Sequence, residues 1–387
     1  KEEEIEQLND MIDHTRDDLL RYSGSEQMRR KYLMQNRQTK EVYESFQIHY
    51  ILVSAFIFGS YPKETRMHYV KRFYELTSQH YINIPTPFMA GLRSNIKQFS
   101  SCTKIDVGDN LDSINKSASA IVNYASKKAG IGVNVGRLRA SGQLISGGDA
   151  VSTGVLPFSK YFNAALKSCA QGAVRGASAT FNYQAWHLEF NDLIVLKNNK
   201  GTEDTRLRTV DYCVHLNGLL YERLANKGNI TLFSPEEVKD LYDAFYSNDV
   251  KLFRELYEKY EKDDSITKKT IKAVDFFHSL ITERFGTGRI FLMNVDNVHA
   301  QTSFYEPIYM TNLCTEVLSP TRPLGQDDSL IALCTLSASN WGKFKPYGML
   351  NDEEKNKQTE LLKEVCDLTV RALDSILSYQ DYPEEAA

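Results

Sequence analysis

Asn312, Cys314 and Glu316 stand two apart in the run Met-Thr-Asn-Leu-Cys-Thr-Glu of residues 310–316. In an extended backbone the side-chain period is two, so all three side chains would share one face. A thiol offers hydrogen-atom or nucleophilic chemistry, a carboxylate a base, and a carboxamide a donor and an acceptor that can hold a hydroxyl still. The plain alternative is that Cys314 is a buried small hydrophobe and its polar neighbours form a turn, because cysteines outside disulfides are among the most buried residues.

The chain that must position this group has 387 residues, long enough for two or more domains or one large α/β body. Its net charge of -4, with 25% charged residues, gives no basic field for nucleic acid. The six cysteines, at 102, 169, 213, 314, 334 and 366, lack the close spacings of a zinc site or a secreted disulfide scaffold, so no metal is expected and a reducing cytoplasm is the simplest home. The longest apolar run, Tyr50 to Phe58, is too short to span a bilayer, and no signal peptide is legible.

Hydrophobic spacing predicts an amphipathic helix over residues 2–22, a stronger one over 41–58, and a third opened by Pro62 and running to about Ser78. Pro85 and Pro87 argue against regular helix there. From Gln98 the texture becomes β-like, and Asp112 is a candidate cap for a helix from Ser113 to about Lys128. A glycine-rich strand or loop follows at 130–136, without the spacing of a P-loop or a Rossmann fingerprint. This succession suggests parallel α/β units. Small-residue loops lie at 141–148 and 169–180, each near an arginine, Arg139 and Arg175. His187, beside Trp186, reads as a satisfied structural histidine rather than a base. Ser234-Pro-Glu-Glu has the form of a helix start, with further helix expected through Lys262 and from about Ile266 to Phe285. Apolar strands are expected at 289–295 and around Cys334, and a closing amphipathic helix through residues 361–377.

Six short pieces, in one order, resemble the large catalytic subunit of class I aerobic ribonucleotide reductase: Phe99-Ser-Ser-Cys, Asp109-Asn-Leu-Asp-Ser-Ile, Ala129-Gly-Ile-Gly, Gln171-Gly-Ala-Val-Arg-Gly, Asn312-Leu-Cys-Thr-Glu and Ala332-Leu-Cys-Thr-Leu-Ser. The likeness runs from Met11-Ile-Asp-His to Tyr379-Gln-Asp-Tyr-Pro. It implies an α/β fold, a ten-stranded barrel of two parallel five-stranded halves with a finger loop through its middle. The expected divisions are a helical region over 1–97, the first half-barrel with its effector elements over 98–297, the finger over 298–320, and the start of the second half over 321–387.

The chemistry that the resemblance implies is reduction of a ribonucleotide by a thiyl radical. Cys314 is the expected radical site, Glu316 the base for the 3' hydroxyl, and Asn312 the holder of the sugar hydroxyls. Cys102 resembles the thiol that protonates the departing 2' hydroxyl, with Cys334 as its partner in a redox disulfide. Cys169, Cys213 and Cys366 match no such role. Thr86, Ser101 and Gly130 are expected at the substrate. Asp109, Leu111 and Arg139 are expected at a nucleoside triphosphate effector (dNTP or ATP), with Gln171 and Arg175 on the messenger loop. Ser146 stands where the resemblance leads one to expect a second phosphate-binding arginine.

No cofactor bound by this chain is expected; the radical would come from a diiron-tyrosyl small subunit. Further expected partners are the complementary C-terminal part of the large subunit, a second large subunit in a homodimer, and a thioredoxin- or glutaredoxin-type reductant, with neither nucleic acid nor membrane among them. No ATP-cone is legible, and the chain alone is expected to be inactive. Two alternatives stay open at this level: an adenosylcobalamin-dependent (class II) reductase, and a non-catalytic nucleotide-binding regulatory or assembly chain.

Overall fold

A computed structural model describes residues 2–36, 38–169 and 176–387, with the backbone alone at 146. The chain divides into two compact units, one formed by described residues of 1–101 and 335–382, the other by those of 102–171, 176–334 and 383–387.

The larger unit is built on one six-stranded sheet. In chain order its strands are β1 (Cys102–Asp106), β2 (Gly130–Asn134), β3 (Ala179–Gln184), β4 (Asp211–Leu216), β5 (Ile290–Asn294) and β6 (Ala332–Cys334). Their spatial order is β5-β4-β3-β2-β1-β6. The first five are parallel and β6 joins β1 antiparallel. Five parallel strands in sequential order, with a further strand beginning across the edge of the first, is the half-barrel arrangement expected above.

Crossover helices α1 (Leu111–Ser126) and α2 (Val155–Ser168) return the chain between β1, β2 and β3. They pack on the apolar face of the sheet, where Ile105, Ile131, Val133, Phe181 and Val214 join Ile114, Ile121 and Phe162 in one core. The first crossover helix starts earlier than expected. Its cap is Asn110, whose side chain accepts from Ser113 N, rather than Asp112. The long connection from β4 to β5 contains α3 (Gly218–Ala225) and α4 (Ala273–Thr287).

That connection holds two departures from the sequence reading. Residues Lys268–Lys272 form a strand antiparallel to Asn229–Phe233, where helix was expected. Ser234 does not cap a helix: its hydroxyl accepts from Ala140 N, and the next helix begins only at Lys239.

In the smaller unit, helices Phe46–Phe58, Lys63–Ser78 and Asp352–Leu377 bury Val53, Ile57, Phe73, Val365, Leu368 and Ile376 together. Ser45 caps the first of these, and Asn351 with Glu354 forms a reciprocal capping box on the last. The Arg72 guanidinium grips the Glu364 carboxylate at 2.7 Å. The expected helix over residues 2–22 is broken into Glu2–Asp10 and the 3-10 turn His14–Leu19. Thr86–Gly91 is helical despite its prolines, because Pro85 precedes it and Pro87 falls in its first turn, where no amide hydrogen is needed. No helix among the described residues is long and apolar enough to cross a membrane.

Candidate active site

The face of the sheet turned away from the crossover helices is polar. Because side chains alternate, Cys102, Lys104 and Asp106 share that face of β1; Gly130, Gly132 and Asn134 share it on β2, and Thr180, Asn182 and Gln184 on β3. The parallel register aligns them in rows, Lys104 beside Gly132 and Gly132 beside Thr180, then Asp106 beside Asn134, Asn182 and Cys213. All of these residues are buried.

The segment leading to Cys314 lies on this face and is held by it. Asn182 Oδ1 accepts from Thr311 N and Oγ1 at 3.0 Å each, and its Nδ2 donates to Thr311 O at 3.2 Å. Thr180 Oγ1 donates to Leu313 O at 2.6 Å. Lys104 Nζ donates to Met310 O at 3.3 Å and also to Ser319 O. His215 Nε2 donates to Asn182 Oδ1 at 3.1 Å, and the Tyr246 hydroxyl donates to His215 Nδ1 at 2.7 Å, fixing the amide that does the holding.

The loop itself is turned rather than extended. Thr315 N donates to Asn312 O at 3.3 Å, Val317 N donates to Asn312 Oδ1 at 2.9 Å, and Thr315 has φ of 66°. The argument from an extended backbone is therefore corrected: Asn312 is fully buried at the base of a turn while Cys314 and Glu316 are exposed on it. The Nδ2 of Asn312 is buried and meets no hydrogen-bond partner among the described residues.

Cys102 and Cys334 face each other directly, as partners in the antiparallel β1–β6 register. Opposed residues of antiparallel strands have Cα separations of roughly 4.5–5.5 Å, inside the range of roughly 4.4–6.8 Å that a disulfide bridges. Both are thiols in this structure. Burial, and then the Glu316 carboxylate, push the Cys334 thiol up, against the pull of the Lys104 ammonium. Glu316 is thus within electrostatic reach of this thiol pair. Gly130, expected at the substrate, is buried beside Cys102 in the β1–β2 register.

Asp109 and Arg139 are also brought together. Arg139 Nε donates to Asp109 Oδ2 at 2.7 Å and its backbone N to Oδ1 at 3.1 Å. Burial raises the Asp109 carboxyl above its usual range, partly offset by Arg139. Leu111, the first residue of α1, is 69% exposed nearby in sequence. Gln171, Arg175 and the side chain of Ser146 lie outside the described residues.

In the smaller unit, Thr86 lines a cavity of 660 Å³ with Tyr32, Asn83, Ser339 and Asn340, its hydroxyl 2.9 Å from the Tyr32 hydroxyl. Ser101 is buried at that unit's end of the chain segment before Cys102. His187 is a structural residue, as its sequence context suggests: Nε2 donates to Leu138 O at 2.9 Å, Nδ1 accepts from Glu189 N at 3.1 Å, and burial pushes the ring down to about 4. Cys213 is buried too, its thiol pushed up to about 12 by burial.

Sequence reasoning missed Lys104, Thr180, Asn182 and His215 as parts of this site. The available signal was the polar residue at every second position of strands that are buried on both faces.

A half-barrel of five parallel strands with a cysteine loop against its inner face defines a class of proteins, and comparison with known families agrees. Residues 100–387 match the ribonucleotide reductase barrel domain, and residues 18–96 the ribonucleotide reductase all-alpha domain. The chain belongs to the ribonucleotide reductase family. It is 51% identical to ribonucleoside-diphosphate reductase subunit alpha of Haemophilus influenzae, across 100% of this chain and 50% of that protein. It is 52% identical to subunit alpha of ribonucleoside-diphosphate reductase 1 of Escherichia coli, across 84% of this chain and 43% of the other, and 45% identical to the subunit alpha of phage T4, across 98% and 50%. The chain spans about half the length of the curated relatives it matches.

Proposed function

We propose that this chain carries the radical and redox cysteines of a ribonucleoside-diphosphate reductase, working in a reducing cytoplasm. The observation that carries the reading is the register of Cys102 against Cys334, on the sheet face that also anchors the loop bearing Cys314. In this reading the Cys314 sulfur, as a thiyl radical, takes the 3' hydrogen of the ribose and later returns it. Glu316 receives the 3' hydroxyl proton, and Asn312 Nδ2 supplies a donor to a sugar hydroxyl. Cys102 protonates the 2' hydroxyl, which leaves as water. The two electrons come from the two thiols as the Cys102–Cys334 bond forms, so ribonucleotide and dithiol become deoxyribonucleotide, disulfide and water.

The domain divisions drawn from sequence, at 97, 297 and 320, belong to the same proposal. The radical is supplied by a separate diiron-tyrosyl small subunit, and the disulfide is reopened by a thioredoxin- or glutaredoxin-type protein. Thr86, Ser101 and Gly130 contact substrate; Asp109, Leu111 and Arg139, with Gln171 and Arg175, receive a nucleoside triphosphate effector at a homodimer contact. Turnover needs the remainder of subunit alpha as it occurs in the relatives. The relatives' names favour this two-subunit enzyme over the cobalamin-dependent and non-catalytic alternatives.

The test is reconstitution with that remainder and the small subunit. Cys314→Ser should abolish deoxyribonucleotide formation while triphosphate binding persists. Undiminished turnover by that variant would refute the reading.

A further inference from the structure

Lys104 breaks the rule that lysine stays in water: it is 1% exposed, in the middle of β1, on the same face as Cys102. Its ammonium donates to Met310 O and Ser319 O, the carbonyls at the two ends of the loop that carries Asn312, Cys314 and Glu316. Its strand partners are Gly132 on β2 and Ala332 on β6, both too small to compete for its space. Two residues along each strand from the Lys104–Ala332 pair stands the Cys102–Cys334 pair.

We propose that Lys104 is a positioning residue for the reaction, clasping both ends of the cysteine loop and lending positive charge to the Cys102–Cys334 thiols. Neither half of this follows from the reductase chemistry itself. The charge half rests on the reading above, whereas the clasp stands on the two carbonyl contacts alone.

The groups that face this ammonium are few. Asp106 lies on its own strand, itself held by Arg137, and Cys334 lies on β6 with Glu316 acting on it from the loop. β2 contributes no titratable group opposite it, only Gly132. Burial pushes the Lys104 ammonium down to about 7, with Asp106 and Cys334 opposing the fall. A clasp of this kind loosens as pH rises, since two carbonyls bind an ammonium more strongly than a neutral amine.

The experiment uses the full chain, with Lys104→Met and Lys104→Arg. Amide hydrogen exchange is read at Thr315 and Val317, corrected for intrinsic rates, from about pH 6 to 9, a window set by the lysine's own titration. In the native chain their protection should fall by about tenfold across it, one pKa unit's worth of binding. In the arginine variant, which keeps its charge, protection should stay flat. In the methionine variant it should be low throughout, with α1 amides unchanged.

In parallel, closure of the Cys102–Cys334 bond by oxidised dithiothreitol is followed against pH. The reagent's own disulfide opens, taking two electrons and two protons. Where the thiols ionise the native lysine has largely lost its proton, so the profile should move to lower pH by about one unit in the arginine variant, which keeps its charge there, and stay near the native one in the methionine variant. Protection that is flat in the native chain and equal in the arginine variant overturns the clasp, even should the methionine variant fail to fold. An oxidation profile that does not move in the arginine variant overturns the charge. Failure of the native chain to close the bond at all counts instead against the reductase reading, and leaves the exchange result standing.

Discussion

A Cβ placed on Gly132 would stand 2.3 Å from the carbonyl oxygen of Thr311 and 2.9 Å from Asn312 Cα. The glycine is there because another backbone crosses the sheet at that point, and not for its own torsion angles. Gly132→Ala must displace either β2 or the base of the cysteine loop. Overpacking of this kind costs about 1–3 kcal/mol, read as a lower urea midpoint. Gly286→Ala is the control: it lies in α4, its new methyl meets nothing within 4 Å, and it should gain about 0.5–1 kcal/mol. Equal effects from the two would remove the close-approach argument.

The Asp106–Arg137 pair is the second point of stress. Asp106 is fully buried, Arg137 Nε reaches both its oxygens at 3.3 Å, and the guanidinium lies 4.7 Å and 4.2 Å from the Tyr242 and Tyr309 ring centres. Arg137→Met strands a carboxylate whose other ties among the described residues are Asn134 and the Lys104 charge, and should cost about 3–5 kcal/mol. Adding Asp106→Asn should restore a large part of the loss. A double variant no more stable than Arg137→Met alone would contradict this coupling.

How much of this was readable beforehand depends on which distances are local. The strands carrying Cys102 and Cys334 and the crossover helix after β1 announce themselves by period, because each buries a face against its neighbours. Lys268–Lys272 was lost because its three lysines and partial exposure look like helix surface, while its pairing with Asn229–Phe233 is set by tertiary contact. The turn at Thr315 was unreadable for another reason: a β-branched residue at positive φ is imposed by the bonds Asn312 makes, not by its own preference. Lys104 was legible only as one member of an alternating run. Its burial is visible once Gly132, Ala332 and the loop carbonyls surround it.

The smaller unit contains an acid-sensitive cluster. Glu44 accepts from both ends of the Arg93 guanidinium and lies 3.3 Å from His49 Nδ1, with Glu44 and His49 side chains 5% and 0% exposed. Burial opposes the charge on Glu44, but the hydrogen bonds from His49 and Arg93 overcome it and hold the carboxyl down to about 2. Burial likewise keeps His49 below the usual imidazole range. Both folded values lie below the unfolded ones, so both contributions are present at neutral pH and decline with acid. His49 loses its share below about 6.5, and Glu44 loses up to about 3 kcal/mol as pH falls from about 4.5 towards 2. Urea denaturation of Glu44→Gln at pH 7 and pH 3 should show a much smaller difference between the two than the native chain does. Parallel curves would count against the cluster.

Asn312 separates support of the loop from contact with a ligand within one side chain. Its Oδ1 closes the loop by accepting from Val317 N, while its Nδ2, buried and without a partner among the described residues, is the donor left over. An unmet buried donor is costly, about 1–3 kcal/mol, and a site tolerates it when a ligand satisfies it. Asn312→Ala should therefore lose both functions, with faster exchange at Val317 and weaker nucleotide binding. Asn312→Asp at pH 8 keeps the acceptor and replaces the donor by a second acceptor. Protection at Val317 should then persist while affinity of the assembled enzyme for a ribonucleoside diphosphate falls by about tenfold or more, the equivalent of about 1.4 kcal/mol for one charge-free hydrogen bond turned repulsive. Calorimetry that finds the aspartate variant binding as tightly as the native chain would mean that this amide holds only the loop.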